Sequence, residues 1–399
     1  MKGILLVPDQ SAFLIIAGLP ALTRVLCAGQ KSGIVDWLVL AAEHTAECEQ
    51  LIADERRLCD VRCTVTAQTL SHEIFTEWLG NEEAMVVPCT AIFDHRLIRQ
   101  VAESCNPSPR TFIARDGQKV DCVVGDAAAL WLLLRSEEPC FLASHFPVIV
   151  LNKGLWIPLT LGLQEVERRL FASLGRETDG FLARALDRKI SRLLTRQLVS
   201  SNVTPNQITL VSFTLGLLSA WLLMQPYYWP RVNGSLLLLM STTIDGCDGE
   251  LARLKFLESE FGAKLDLLAD NIVHLLLFPG IAVSLYRETQ DPLYVTLAMV
   301  TIIGVLCSMV VAYLAIFRLP SDLVGGRGVR TPLVEFYERI TGRDFAYILL
   351  LLVLFDRLAW FLWATAIGTY AFAGGLLWVF LWQRQAAKSR VELFSGETK

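Results

Sequence analysis

Apolar and polar residues are distributed very differently in the two halves of this chain. Over residues 1–200 short apolar runs alternate with charged, amphipathic stretches, whereas residues 205–383 are dominated by long apolar runs. The first half predicts strands at Gly3–Pro8, Asp36–Ala41, Val61–Ala67 and Met85–Cys89, with helices at Ala21–Ser32, His44–Leu58 and His95–Cys105. Such alternation predicts a layered α/β domain. Thr111–Arg115 and Val120–Val124 flank Asp116-Gly117, a hairpin signal. A membrane span needs about 20 predominantly apolar residues. The second half offers six candidates: Asn206–Gln225, Gly234–Arg253, Ala263–Tyr286, Leu293–Phe317, Asp344–Phe355 and Ala359–Trp382. The fifth has the shortest apolar run.

Polar residues break this apolar half at fixed spacing: Asp245-x2-Asp248-Gly249-x2-Ala252-Arg253, a gap, then Gly262-x3-Asp266-x3-Asp270. A charged side chain at the bilayer centre costs roughly 2.5–3.5 kcal/mol on insertion scales, so intramembrane aspartates face a protein interior or a wet cavity. On helices, Asp245, Asp248, Gly249 and Ala252 share one stripe and Gly262, Asp266 and Asp270 another. Two facing stripes would make a four-carboxylate pocket, for which a hard divalent cation, Mg²⁺ or Mn²⁺, is the natural counter-charge. Gly249 and Ala252 leave room for a ligand, and Arg253 offers a fork for phosphate oxygens. A transporter with ion-binding carboxylates is the competing reading, but it leaves Gly249, Ala252, Arg253 and Gly262 without a purpose.

The pattern resembles, at every defined position, the signature of the CDP-alcohol phosphotransferases, integral membrane enzymes that make phospholipid head groups and related phosphodiesters. The resemblance implies six transmembrane helices, two divalent ions and a homodimer. An acceptor hydroxyl would attack the β-phosphorus of a CDP-alcohol and release CMP. By the same resemblance Asp245, Asp248 and Asp266 are metal ligands, Asp270 is the base and a further ligand, and Gly249, Ala252, Arg253 and Gly262 hold the CDP moiety.

Order and wording over residues 1–175 resemble a sugar-phosphate nucleotidyltransferase. Gly18-Leu19-Pro20-Ala21-Leu22 with Gly33-Ile34, and the stretch Ala84–Arg99, carry that likeness. The catalytic parts are missing. The phosphate loop reads Val7-Pro8-Asp9-Gln10-Ser11-Ala12-Phe13 without a glycine, and Pro88-Cys89-Thr90 stands where the family has a metal-binding Asp. Asp94 reads as a helix N-cap. The domain is therefore read as degenerate and inactive in nucleotide transfer. Its fusion to the membrane motif matches the order in bifunctional enzymes making inositol-phosphate phosphodiesters, which is the alternative reading.

Residues 176–203 predict a basic amphipathic juxtamembrane helix on anionic head groups, with Arg184, Arg188, Lys189, Arg192 and Arg196 beside Ile190, Leu193 and Leu194. A solvated helix packed on the soluble domain is the alternative. Thr204-Pro205-Asn206 opens the first span, with Pro at a helix start. The membrane domain is placed at 204–385 and a cytosolic tail at 386–399.

Basic residues cluster in alternate loops: Arg253, Lys255 and Lys264, then Arg318, Arg327, Arg330, Arg339 and Arg343, then Arg384, Lys388 and Arg390. This bias places both termini and the mouth of the motif in the cytoplasm. The same bias accounts for Lys264, Arg318, Arg327 and Arg330, with binding of a phosphorylated acceptor near the cytoplasmic mouth as the alternative. The apolar run Ala12–Leu22 contains Pro20 and lacks a basic flank, so it is expected to pack in the soluble domain rather than to act as a signal. Eight of the 10 Cys lie in residues 1–150 without paired metal spacing, which fits reduced thiols in a cytosolic domain. Cys59-x3-Cys63 is read as core packing. A net charge of −4 gives no nucleic-acid surface. His274, one turn beyond Asp270, is expected to satisfy a buried polar neighbour, with substrate contact as the alternative.

Overall fold

The computed structural model describes the chain apart from residues 42, 68–70, 104–108, 115–118, 136–145, 152–155, 175–186, 319–343 and 397–399. The Asp116-Gly117 turn, Arg184, Arg327, Arg330, Arg339 and Arg343 therefore lie outside the described residues. The chain separates into two compact units, Met1–Leu174 with Leu254–Phe256, and Gly175–Arg253 with Leu257–Lys399.

The first unit is an α/β layer. Strands β1 (Lys2–Val7), β4 (Asp36–Ala41), β5 (Arg62–Thr66), β6 (Ala84–Pro88), β8 (Arg110–Ala114), β9 (Lys119–Gly125) and β10 (Val148–Leu151) form a seven-stranded sheet in the order β10-β8-β9-β6-β1-β4-β5. The central pairs β6–β1, β1–β4 and β4–β5 are parallel, and β9 runs antiparallel to both neighbours. Two short antiparallel pairs form separate sheets, β2 (Ile15–Ile16) with β3 (Leu19–Pro20) and β7 (Ala91–Phe93) with β11 (Trp156–Pro158).

Period-two alternation gives the sheet two buried faces. Leu5, Val7, Trp37 and Val39 join one core with residues of helices α1 (Ala21–Lys31) and α4 (His95–Glu103). Ile4, Leu38, Leu40 and Val86 join another with α3 (His72–Leu79) and α5 (Ala127–Arg135). The indole of Trp37 fills a slot that only glycine leaves open, because a Cβ at Gly3 or Gly29 would lie 2.4 or 2.2 Å from its ring. The remaining helices of this unit are α2 (Thr45–Asp54) and α6 (Leu163–Ala172). The helix expected over His44–Leu58 is broken at Glu55, whose extended backbone starts a separate 3-10 turn at Arg56–Leu58. Ala12, Ile16, Ala21 and Leu22 are core residues, so the apolar run Ala12–Leu22 does pack in this unit.

The second unit is helical: α7 (Arg188–Leu198), α8 (Pro205–Leu223), α9 (Tyr228–Lys255), α10 (Glu260–Thr289), α11 (Leu293–Arg318), α12 (Phe345–Leu354) and α13 (Leu358–Gly396). Among the described residues six helices follow α7, overlapping the six expected spans. By length and composition, however, only α8 and α10 among the described residues are long and apolar enough to cross a membrane; Leu293–Ser308 and Phe345–Leu354 are shorter. The run expected at Gly234–Arg253 lies in α9, whose Ser, Thr and charged motif residues dilute its hydropathy.

The start of α8 is a capping box: Thr204 caps, Pro205 occupies the first turn and Gln207 accepts from the Thr204 amide at 3.0 Å. Along α8 the small and polar residues Thr209, Ser212, Gly216 and Ser219 are buried at helical spacing. They let neighbouring backbones approach. A Cβ on Gly216 would sit 2.7 Å from Val273 of α10, Ser241 of α9 donates to the Ser212 carbonyl at 2.6 Å, and Ser219 donates to the Gly234 carbonyl at 2.8 Å. Leu223, Leu238, Val273, Leu277, Leu349 and Leu362 fill the apolar core.

Candidate active site

Two neighbouring helices position the site, and α9 presents a different polar face to each side. One face carries Asp245 and Asp248, which are only 7% and 8% exposed. The opposite face carries Thr243, Cys247 and Glu250, spaced i, i+4 and i+7.

On the first face, Asp245 and Asp248 meet Asp266 of α10. Each offers a carboxylate oxygen, and these oxygens all lie within 4.8 Å of one another. Like charges that close would repel strongly without a cation or proton between them. Asp266 also has a buried oxygen, Oδ1, with no hydrogen-bond partner. Asp248 is oriented by the Thr209 hydroxyl of α8 and by the amide of Gly249. Thr209 was not singled out among the motif residues; the Thr209, Ser212, Gly216, Ser219 spacing was the signal available for it.

Asp270 does not join the three. It lies one turn along α10 from Asp266, acts on it electrostatically, and is exposed. Gly249 is half-buried beside Asp248, and Ala252 and Arg253 are half-buried in the last turns of α9. The Ala252 carbonyl accepts from Leu257 at 2.9 Å as the chain leaves the helix. Gly262 lies in the first turn of α10, where its amide donates to the Ser259 cap at 3.0 Å. A Cβ there would press on Asn206 Oδ1 and Ser259 Oγ, both at 3.0 Å, so packing against the start of α8 already favours glycine. Lys264 forms a long ion pair with Glu260 at 3.6 Å, on the same exposed turn.

His274 continues the α10 stripe by one turn. Its ring stacks on Phe278, with centroids 5.4 Å apart and planes 5° from parallel, and meets Phe345 edge-on at 5.4 Å. Contrary to expectation, it makes no hydrogen bond among the described residues.

The second face of α9 anchors α7. Ser191 and Thr195 each donate to Glu250, at 2.9 Å to Oε1 and 2.9 Å to Oε2, and Glu250 is 0% exposed. Cys247 donates weakly to the Ser191 carbonyl at 3.6 Å, while buried Asp187, ahead of α7, accepts from Thr243 at 3.4 Å and from the Tyr347 hydroxyl. The polar stripe of α7 thus points inward. Its apolar residues Ile190 and Leu193 are 49% and 61% exposed, beside exposed Lys189 and Arg196.

In the first unit, a cleft of about 760 Å³ next to β1 is lined by Asp9, Gln10, Ser11, Phe13, Leu14 and Glu47. Hydrogen bonding from Ser11 holds the Asp9 carboxyl below its usual range, so it is ionised at neutral pH. Asp94 caps α4, accepting from the Leu97 amide at 3.0 Å.

Comparison with known proteins finds similar sequences for part of the chain. The chain is 34% identical over 173 residues to a bifunctional IPC transferase and DIPP synthase of Archaeoglobus fulgidus, a match covering 43% of this chain and 32% of that protein. It is 28% identical over 199 residues to an archaetidylinositol phosphate synthase of Pyrococcus horikoshii, covering 50% of this chain and 90% of that one. The chain spans no more than about a third of the length of the bifunctional relatives it matches. Among solved structures, the inositol-1-phosphate CTP transferase from T. maritima aligns with a TM-score of 0.31 and 11% identity, over 39% of this chain and 88% of that one. Residues 202–371, which hold Asp245, Asp248, Asp266 and Asp270, match the family model described as CDP-alcohol phosphatidyltransferase.

Proposed function

We propose that the chain is a membrane-embedded phosphotransferase that moves a substituted phosphate from a CDP-alcohol to an acceptor alcohol and releases CMP. The observation that carries this reading is the convergence of Asp245, Asp248 and Asp266 within the family segment, with a buried Asp266 oxygen left without a partner. That all-oxygen, anionic donor set suits Mg²⁺ or Mn²⁺. Asp245, Asp248 and Asp266 would hold the metal, Asp270 would complete a site for a second ion, and bound divalent ions would neutralise the diphosphate.

The chain's own residues supply the rest. Asp270, exposed at the edge of the cluster, takes the proton of the acceptor hydroxyl. The acceptor oxygen bonds to the β-phosphorus as the bond from that phosphorus to the CMP oxygen breaks. Gly249, Ala252, Arg253 and Gly262, at the adjoining ends of α9 and α10, hold the CDP moiety. Thr209 keeps Asp248 in place.

Helices α8 to α13 make six spans in this reading, with both termini and the motif mouth cytoplasmic, and α7 lies on the head groups with Ile190 and Leu193 outward. The functional form is a homodimer in contact with membrane lipids and without nucleic acid. The first unit does not transfer nucleotides: the acidic cleft of Asp9 and Glu47 stands where a triphosphate would need amides and cations. The bifunctional reading draws on the names of the relatives, and pyrophosphate release from CTP would favour it.

The test is mass spectrometry of products from the purified chain in nanodiscs with Mg²⁺. CDP-diacylglycerol, CDP-inositol and CDP-glycerol serve as donors, and inositol 1-phosphate and glycerol 3-phosphate as acceptors. Metal-dependent CMP with a matching phosphodiester is expected from at least one pair; ion flux without CMP would instead support a transporter.

A further inference from the structure

The stripe Gly262, Asp266, Asp270 runs on to a residue that the motif does not include. His274 lies one turn, about 6 Å at 1.5 Å per residue, beyond Asp270, and about 18 Å along α10 from Gly262. It is half-buried between the rings of Phe278 and Phe345, and Asp245 acts on it electrostatically. Among the described residues, the carboxylates that could share an ion are Asp245, Asp248 and Asp266, and His274 is not in that group.

An imidazole carries one donor and one acceptor nitrogen when neutral, and a polar group held among apolar rings normally finds a partner. Here none of the described residues provides one. Nothing in the packing of α10 against α12 requires a nitrogen there, since a phenylalanine would make the same ring contacts. Hydrogen bonds that the described residues leave unmet are available to a ligand, and the place of His274 says which part of it. Phosphoryl transfer aligns the attacking and leaving oxygens on opposite sides of phosphorus. With CMP departing toward the Gly249, Arg253 and Gly262 end, the nucleophile approaches from the opposite end, past Asp270 toward His274.

We propose that His274 binds the acceptor alcohol, its ring nitrogens exchanging hydrogen bonds with a hydroxyl of that substrate while Phe278 and Phe345 flank its carbon skeleton. The inference rests on the phosphotransferase reading above. It makes His274 a determinant of acceptor specificity, separate from the metal and nucleotide groups. The span of about 6 Å from Asp270 to His274 suits an acceptor with a second hydroxyl several bonds from the attacking one.

The experiment uses the full chain in nanodiscs with the donor and acceptor pair that the panel selects, varying each substrate separately. His274→Ala and His274→Phe should each raise the acceptor KM about tenfold, the loss expected of a hydrogen bond to a buried group. The donor KM and the Mn²⁺ affinity measured by electron paramagnetic resonance should stay within twofold of wild type. His274→Gln, which restores a donor and an acceptor, should recover most of the loss. His274→Phe keeps the ring packing, so its failure is not a failure to fold. An unchanged acceptor KM in an active background overturns this inference alone, as does a parallel rise in both KM values or a loss of Mn²⁺ affinity. No CMP from wild type with any pair overturns the phosphotransferase reading and the inference with it.

Discussion

Ser191 donates its hydroxyl to Glu250 Oε1 at 2.9 Å, holding the carboxylate that helical phase places on the face of α9 opposite the aspartate cluster. With Thr195 on the other oxygen, Glu250 has a hydroxyl partner on each side although it is fully buried. The acidic residues of α9 are thereby sorted by face: Asp245 and Asp248 toward α10, Glu250 toward α7. Removing both hydroxyls with Ser191→Ala and Thr195→Val should destabilise the helical unit by about 1–3 kcal/mol, because a buried carboxylate loses two hydroxyl donors. Thermal unfolding in detergent checks this, and adding Glu250→Leu should return part of the loss.

The aspartates should be separable by role. Asp245→Asn or Asp266→Asn should abolish CMP release and weaken Mn²⁺ binding in titrations followed by electron paramagnetic resonance. Asp270→Asn should cut turnover by roughly 10²–10⁴-fold, the usual worth of a general base, even where Mn²⁺ still binds. Full turnover by any of these variants as folded protein would remove that residue from the site.

Thr209 should matter without touching substrate. Thr209→Val keeps the shape but removes the hydroxyl that donates to Asp248. Outer-sphere partners of this kind are worth about 10–100-fold in metal affinity. A Mn²⁺ dissociation constant unchanged in Thr209→Val would show that Asp248 is held by other means.

The acidic cleft of the first unit predicts a negative result with a positive control. The full chain given CTP, Mg²⁺ and inositol 1-phosphate should release no pyrophosphate above background under conditions in which it releases CMP from a CDP-alcohol. Pyrophosphate formation would make the protein a two-step synthase and overturn the reading of Asp9 and Glu47.

Cysteine reactivity should follow burial. Burial pushes the Cys27 thiol up to about 12 and the Cys48 and Cys63 thiols up to about 11, whereas Cys59 is exposed. At pH 8 a thiol reagent should label Cys59 first and leave Cys27 and Cys48 until the unit unfolds, as peptide mapping would read. The sign for stability follows. Above the ordinary value of 9.0 the unfolded chain gives up the Cys27 proton while the folded one keeps it, so stability is full below pH 9 and falls as pH rises toward 12. Cys27→Ala should flatten that fall.

Much of the fold and site could be read along the chain, because local rules act there. Thr204 and Pro205 announced the start of α8, Asp94 capped α4 as expected, and the strands of the parallel core fell where alternation placed them. The i, i+3 and i, i+4 spacing of the aspartates put them on helix faces before any packing was known. Spacing cannot say which faces meet. Both α9 stripes are polar, and nothing local distinguishes the one that packs on α10 from the one that packs on α7. Helix packing made that choice through Gly216 against Val273 and Ser241 against the Ser212 carbonyl. It gathered three aspartates, left Asp270 exposed, brought Thr209 to Asp248, buried Glu250 under Ser191 and Thr195, and left His274 between two phenylalanine rings with no hydrogen bond from the described residues. Local rules along the chain specify the helices, their polar stripes and the chemistry available to them; which stripes converge depends on long-range packing that no residue's immediate neighbours encode.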